Sequence, residues 1–230
     1  MISSSVLSLY GTNTKVVRPF SEFFGEIFLD NQEYLNTMEI SYVHNKKLLD
    51  FNNPEVVNNL SQINKVLVDN LNVDVRNFIE TPPLGNYLNS IVSVHFRGCD
   101  YLKNTPLGHA PNSTPSEFLN KISSLIEGQK IFVATDDISF INLLKLSGNE
   151  ISYFEDVYRK GPGRGSHIKS FYERLGLINK HKQKKKGYEV LRDVYWLSKN
   201  NVYIGSNSNL MYYSKLLNPQ QHQINLTAGT

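Results

Sequence analysis

The stretch "IVSVHFRGCD", residues 91–100, decides the fold of the chain, because it is an apolar strand that ends in charged residues. Its first six residues are mostly β-branched or aromatic, which is typical of a strand buried in a sheet. The end of the strand carries a cluster of polar residues, which consists of His95, Arg97 and Asp100, with Gly98 between Arg97 and Asp100. A buried strand with such an ending indicates a site at the edge of a sheet.

Beyond this stretch, strands alternate with helices. Further strands are predicted at "KIFVAT", "EISYF" and "NVYIGS", and helices at "TPSEFLNKISSLIEG", "SFINLLKLSGN", "GYEVLRDVYWLSKN" and "SNLMYYSKLLNP". Strands and helices in this order form βαβ units, which build a parallel sheet covered on both faces. We therefore expect an α/β fold with a Rossmann-like parallel sheet and helices on both faces.

The helix at "TPSEFLNKISSLIEG" has the clearest sequence signals for a helix N terminus. Thr114 is placed to cap its N terminus, and Glu117 lies three residues later, as in a capping box. Phe118, Ile122 and Leu125 are spaced to form its buried face.

A domain boundary is indicated at "ETPPLGN", residues 80–86, where two prolines and a glycine separate periodic segments. The preceding "NPEVVNNLSQINKVLVDNLN" has apolar residues at helical spacing. We expect a shortened, mainly helical domain over residues 1–89 and the Rossmann-like domain over residues 90–230.

Three of the four predicted strands end in polar clusters. Since ligands of parallel sheets bind at the carboxyl ends of the strands, the three clusters should line one edge. A helix N terminus donates N–H groups to phosphates, and an arginine adds a bidentate charged contact, so the clusters predict a diphosphate site. They consist of His95, Arg97 and Asp100; of Thr135, Asp136 and Asp137; and of Ser206, Asn207, Ser208 and Asn209.

Each cluster also has a purely structural interpretation. Arg97 and Asp100 could form an ion pair. The "TDD" and "SNSN" runs could serve as helix caps and bind no ligand. The presence of all three at one sheet edge favours a ligand site.

The charge pattern does not favour a nucleic-acid partner. The formal net charge is only +3, and much of the excess lies in "KHKQKKKG", residues 180–187, which is predicted to be a solvated loop without interleaved aromatic residues. "GPGRGS", residues 161–166, is predicted to be a flexible loop, because Pro162 lacks the N–H donor that a phosphate loop needs.

The single cysteine, Cys99, cannot form an internal disulfide, and the N-terminal residues do not resemble a secretory signal. No stretch is apolar for long enough to span a membrane. We expect a cytoplasmic protein without a transmembrane segment.

In their order, the clusters resemble the motifs of the fucosyltransferase superfamily, which includes α1,2- and α1,6-fucosyltransferases, the nodulation fucosyltransferase and protein O-fucosyltransferases. His95, Arg97 and Asp100 match a first motif, His-x-Arg-x-x-Asp, and "TDD" matches a second. The helix that contains Asp193, followed by "NNVYIGSNSN", matches a third. The resemblance covers about residues 90–220.

The resemblance implies a GT-B glycosyltransferase that transfers fucose from GDP-fucose, with inversion, to a hydroxyl of a glycan or protein acceptor. It implies that Arg97 holds the β-phosphate and that His95 and Asp193 flank the guanine. The other implied roles are contacts with the diphosphate by Ser206, Ser208 and Asn209, and bracing of the donor pocket by Asp136 and Asp137.

During such a transfer, negative charge grows on the departing diphosphate. Arg97 and the helix N terminus after Ser206 are predicted to stabilise this charge, so that no metal or other cofactor is required. A base should deprotonate the acceptor hydroxyl, and Asp100 is the candidate.

The chain departs from the family pattern in two places: Gly98 stands where many members have a second arginine, and the N-terminal residues lack a glycine-rich strand-turn. These departures leave open a catalytically silent module that binds GDP-sugars. Two further alternatives are a manganese-dependent glycosyltransferase that binds its metal through "TDD", and a nucleic-acid-binding protein that uses the lysine run.

Overall fold

The computed structural model describes residues 53–69, 71, 73–83, 92–98, 113–157, 159, 180–206 and 208–226. The helices are α1 (Pro54–Asp69), α2 (Val73–Glu80), α3 (Pro115–Ile126), α4 (Ile138–Leu146), α5 (Lys180–Leu197) and α6 (Asn209–Leu217). The strands are β1 (Val92–Phe96), β2 (Lys130–Thr135), β3 (Glu150–Ser152), β4 (Val202–Gly205) and β5 (His222–Asn225).

The five strands form one parallel sheet in the order β3-β2-β1-β4-β5. In chain order, the sheet starts in the middle with β1 and extends through β2 to β3. The chain then returns and places β4 on the other side of β1. The winding direction therefore reverses between β1 and β4, which is the topological switch point of a Rossmann-like sheet. This confirms the predicted α/β fold class.

The register brings the carboxyl ends of three strands level with one another. Phe96 pairs with Thr135 at the end of β2, and His95 pairs with Gly205 at the end of β4. We call these three strand ends, with the residues that directly follow them, the carboxyl edge.

The first face of the sheet is apolar and packs against α3 and α4. The Phe96 ring lies between the rings of Phe118 and Phe140, with centroid distances of 4.8 and 4.6 Å. Burial of such a cluster is the main favourable term in folding. The cluster consists of Val92, Val94, Phe96, Phe118, Ile122, Ile126, Ile131, Val133, Phe140, Ile141, Leu144 and Ile204.

The second face carries polar side chains that are tied to the backbone of other elements. Ser93 Oγ donates a hydrogen bond to the Leu197 carbonyl (2.8 Å), and Gln223 Nε2 donates to the Met211 carbonyl (2.6 Å). These bonds place the end of α5 and the start of α6 on this face, so helices cover both faces of the sheet as predicted.

A buried glutamine holds the edge strand β5. Gln221 is fully buried, and its Nε2 donates to the carbonyls of Leu197 (2.8 Å) and Asn200 (2.9 Å). Its Oε1 accepts from Ser214 Oγ at 2.7 Å. A buried amide whose hydrogen bonds are made in this way specifies one arrangement of the surrounding elements.

The contacts of the chain divide it into two compact units. One contains the described residues within Met1–Thr81, Asn179–Tyr195 and Lys215–Pro219, and it is helical. In it, the Arg192 guanidinium lies 4.4 Å from the centroid of the Phe78 ring, a cation–π contact between α5 and α2. The other unit contains the sheet with α3 and α4. The division predicted at residues 1–89 and 90–230 stays a prediction.

The capping box of α3 is confirmed. Glu117 N–H donates to Thr114 Oγ1 (3.3 Å), and Thr114 N–H donates to Glu117 Oε2 (2.7 Å), which lowers the pKa of Glu117. Its predicted buried face is wrong at one position: Ile126 is buried in the core, while Leu125 is 40% exposed. Ile126 lies four positions after Ile122, so Ile126 continues the buried face of the helix.

One other prediction about secondary structure was wrong, and one strand was missed. The lysine run, predicted to be a loop, lies in the first turns of α5, and lysine and glutamine are good helix formers. The strand β5 was not predicted, because "HQIN" has a single apolar residue, Ile224.

Candidate functional site

The carboxyl edge brings together most of the site residues predicted from the sequence. Arg97 follows β1, Asp136 and Asp137 follow β2, and Ser206 and Ser208 follow β4. The exposed Asn209 begins α6. Asp100 and Cys99 lie outside the described residues, as do Asn207 and the "GPGRGS" stretch. The base role of Asp100 therefore stays a prediction.

Arg97 lies next to the β4–α6 turn in the register of the sheet. It stands two residues beyond His95, whose partner on β4 is Gly205. Arg97 and Ser206 thus follow shortly after the last paired residues of two adjacent strands. Arg97 is partly buried, so part of the residue is accessible to solvent.

The turn after β4 forms the capped N terminus of α6. Ser208 is half-buried, its Oγ accepts from Met211 N–H (3.3 Å), and its carbonyl accepts from Tyr212 N–H (3.2 Å). The first N–H groups of a helix point out of its N terminus and carry a partial positive charge. Capping by Ser208 is thus confirmed, and the capped helix also directs positive charge to the carboxyl edge.

Asp136 connects the ends of β1 and β2. The Gly98 N–H donates to Asp136 Oδ1 at 3.0 Å, which fixes the peptide group that joins Arg97 to Gly98. The orientation of Arg97 therefore depends on a carboxylate of the neighbouring strand.

Asp137 caps α4. It is fully buried, and its Oδ1 accepts from the Ser139 N–H (2.8 Å) and from the Ser139 hydroxyl. Its own N–H donates to Thr135 Oγ1 at 3.1 Å. The structural interpretation of the "TDD" run, a helix cap, is therefore confirmed for Asp137.

Gly98 occupies a position with no room for a side chain. A Cβ added there would lie 2.5 Å from Cε1 of Phe96 and 2.9 Å from Oδ2 of Asp137. Both neighbours are buried, so neither moves without disturbing the core. A larger residue at this position would therefore clash with both side chains.

His95 is buried and neutral. Its side chain is 6% exposed, and burial, with a smaller effect of the Arg97 charge, lowers its pKa from 6.5 to about 4. Its Nδ1 is enclosed and has no hydrogen-bond partner among the residues that the structure describes. At neutral pH the imidazole therefore has one N–H donor and one acceptor nitrogen.

Two residues near the carboxyl edge were missed from the sequence. Tyr203 on β4 is fully buried beside His95, with ring centroids 6.4 Å apart. Arg159 joins the ends of β2 and β3, because its Nε donates to the Thr135 carbonyl (3.1 Å) and its Nη1 to the Phe154 carbonyl (2.5 Å). Tyr203 resembles any other buried strand residue in the sequence, while the position of Arg159, five residues after the end of "EISYF", could have indicated it.

Asp193, the predicted guanine contact, lies on α5 in the helical unit and is partly buried. Its role in guanine recognition stays a prediction. No group of three or more His, Cys, Asp or Glu side chains that could hold a metal ion occurs in the described ranges. Within these same ranges, no helix is both long and apolar enough to cross a membrane.

The buried neutral His95 should make the protein less stable in acid. The unfolded chain binds a proton on this residue as the pH falls through 6.5, whereas the folded chain does so only near pH 4, where its pKa lies. Stability is therefore lost between these values, by about 2 kcal/mol between pH 7 and 4.5 through this group alone. Urea unfolding of wild type and His95→Gln at the two pH values measures it.

The His95→Gln variant should lose less stability than wild type over this interval, by about that amount. The matched control is His222→Gln, since it makes the same substitution at a histidine that is exposed on β5. Equal pH dependence in wild type and His95→Gln would show that His95 is not buried in its neutral form.

Comparison with known proteins yields matches among solved structures. No protein-family model matches the sequence, and neither does any curated protein. The chain is similar to NodZ α-1,6-fucosyltransferase co-crystallized with GDP, at 17% identity and a TM-score of 0.41, over 67% of this chain and 46% of that one. For fucosyltransferase NodZ from Bradyrhizobium the values are 16%, 0.42, 70% and 48%. For NodZ α-1,6-fucosyltransferase soaked with GDP-fucose they are 18%, 0.40, 69% and 47%.

These structures are fucosyltransferases, the superfamily that the three sequence motifs resemble. The chain spans about half of their length. TM-scores of 0.40 to 0.42 do not establish a shared fold, so the fold assignment rests on the parallel pairing and strand order of the sheet itself.

Proposed function

We propose that this chain binds a GDP-sugar at the carboxyl edge and transfers the sugar to an acceptor hydroxyl. The observation that carries the proposal is the position of Arg97 and of the Ser208-capped α6 at adjacent strand ends. These two strands, β1 and β4, flank the switch point, which is where doubly wound sheets bind nucleotides.

The charges at this position suit a diphosphate. The Arg97 guanidinium offers paired N–H donors, and the N terminus of α6 offers backbone N–H groups with partial positive charge. Each favours an anion, and the two originate from neighbouring strands. A diphosphate has two anionic groups and can engage both.

The guanine base and the fucosyl group are proposed from the sequence motifs. In this proposal His95 and Asp193 flank the guanine, and Ser206, Ser208 and Asn209 contact the diphosphate. The acceptor is a hydroxyl of a glycan or a protein.

The proposed reaction proceeds with inversion and without a metal. The bond between the sugar and the β-phosphate oxygen breaks as the acceptor oxygen attacks, and Asp100 takes the proton of the acceptor. Arg97 and the N terminus of α6 stabilise the departing diphosphate. Asp136 and Asp137 are proposed to brace the edge, since their carboxylates accept hydrogen bonds from Gly98 and Ser139.

Binding of GDP tests this proposal. We expect GDP to raise the melting temperature of the wild type, and UDP and ADP at the same concentration to have little effect. Arg97→Ala should lower the GDP affinity tenfold or more in calorimetry, because a hydrogen bond between charged groups contributes about 1.5–3 kcal/mol. Arg97→Lys should recover part of the affinity, since it keeps the charge without the paired donors.

Lys145→Ala is the control for loss of one positive charge, because Lys145 is exposed at the end of α4 and bonds to Tyr153. It should bind GDP like the wild type. A wild type whose melting temperature does not rise with GDP would contradict the proposal. An Arg97→Ala variant with unchanged GDP affinity would contradict it too.

A second candidate function is a GDP-sugar-binding module without transferase activity. It is favoured by the steric environment of Gly98, which excludes the second arginine present in many family members. The two functions differ in turnover. A transferase consumes GDP-fucose and releases GDP, with water as a slow acceptor, whereas a silent module binds the donor and leaves it intact over many hours.

A further inference from the structure

Two buried polar side chains lie side by side below the proposed diphosphate site. Tyr203 is fully buried and His95 is 6% exposed, and both project from the second face of the sheet, on the adjacent strands β4 and β1. Their ring centroids are 6.4 Å apart, and the rings are tilted by 46°. They are therefore neighbours in the interior, although the proposed function gives Tyr203 no role.

Gly205 allows this arrangement. A Cβ added to Gly205 would lie 2.8 Å from Cε1 of Tyr203, 3.2 Å from its Oη and 3.0 Å from the carbonyl oxygen of His95. The Tyr203 ring thus runs along β4 over the glycine towards the carboxyl edge. Its hydroxyl ends within about 6 Å of the His95 backbone.

Both side chains have a polar atom that the described residues leave without a well-formed hydrogen bond. These atoms are Nδ1 of His95 and Oη of Tyr203. A buried polar atom without a partner costs about 1–3 kcal/mol, and one buried water between these neighbouring side chains can bond to both atoms.

The chemistry of the two groups determines the direction of this interaction. Burial raises the pKa of Tyr203 above its usual range, so its hydroxyl keeps its proton and acts as a donor at neutral pH. His95 is neutral under the same conditions, because burial lowers its pKa to about 4. A neutral imidazole accepts at one nitrogen only, and a donor at Nδ1 places the hydrogen on Nε2.

We propose that Tyr203 is a positioning residue that donates to Nδ1 of His95 through one water, and so holds His95 as the tautomer with the hydrogen on Nε2. His95 then presents an N–H donor, rather than a lone pair, to a ligand at the carboxyl edge. This consequence for binding rests on the proposed GDP-sugar function, while the tautomer itself is a property of the protein without ligand.

Ser208 is the competing partner of the Tyr203 hydroxyl. Its side chain lies near Oη, outside well-formed hydrogen-bond geometry, and offsets part of the effect of burial on the pKa of Tyr203. Ser208 Oγ already accepts from Met211 N–H. If Tyr203 served Ser208 instead, its removal would change the cap of α6 and leave the tautomer of His95 unchanged.

The test is the nitrogen-15 NMR spectrum of the histidine rings at pH 7, in protein without ligand. The two neutral tautomers exchange the chemical shifts of Nδ1 and Nε2, and the His95 signals are assigned by their loss in His95→Gln. We expect the Nε2–H tautomer in the wild type. We expect a mixture of tautomers in Tyr203→Phe, which keeps the ring and removes only the hydroxyl.

Tyr153→Phe is the matched control, since the Tyr153 hydroxyl accepts from Lys145 at 2.7 Å and takes no part in the site. It should leave the His95 signals unchanged. Calorimetry should then show a three- to tenfold weaker GDP affinity in Tyr203→Phe and an unchanged affinity in Tyr153→Phe.

A wild type with the hydrogen on Nδ1 would overturn the proposal, and this measurement holds even if Tyr203→Phe does not fold. A folded Tyr203→Phe variant with the wild-type tautomer would overturn it too. If the tautomer changes as expected and the wild type does not bind GDP, the role of Tyr203 stands and the proposed function fails.

Discussion

The parallel pairing of β1 with β4 is the contact on which the candidate site depends. It places His95 opposite Gly205, and so brings a strand end that carries Arg97 beside a strand end that opens a helix. These two elements are more than a hundred residues apart in the chain. The pairing requires glycine at position 205, since a Cβ there would meet the His95 carbonyl and the Tyr203 ring.

The two faces of the sheet serve different purposes around this pairing. The first face carries the apolar cluster around Phe96, to which α3 and α4 contribute. The second face carries Ser93, which bonds to the end of α5, and the neighbouring side chains of His95 and Tyr203. Asp136 joins the two strands that the cluster supports. The apolar face thus supports the polar face, where the positions of the side chains determine the chemistry of the candidate site.

Much of this fold could be predicted from the sequence, because local patterns determine most of its elements. Alternating strands and helices indicate a parallel sheet, and a parallel sheet places Arg97 and Ser208 at one edge. The features that could not be predicted depend on contacts between residues far apart in the sequence. The strand β5 is polar and is held by Gln221, and the closeness of Tyr203 to His95 follows from the register of two strands far apart in sequence.

A crystal structure of the full chain grown with GDP measures the central claim directly. We expect the diphosphate to lie within hydrogen-bond distance, about 3 Å, of both the Arg97 guanidinium and the backbone N–H groups in the first turn of α6. A diphosphate held by only one of these two elements, or bound away from the junction of β1 and β4, would contradict it.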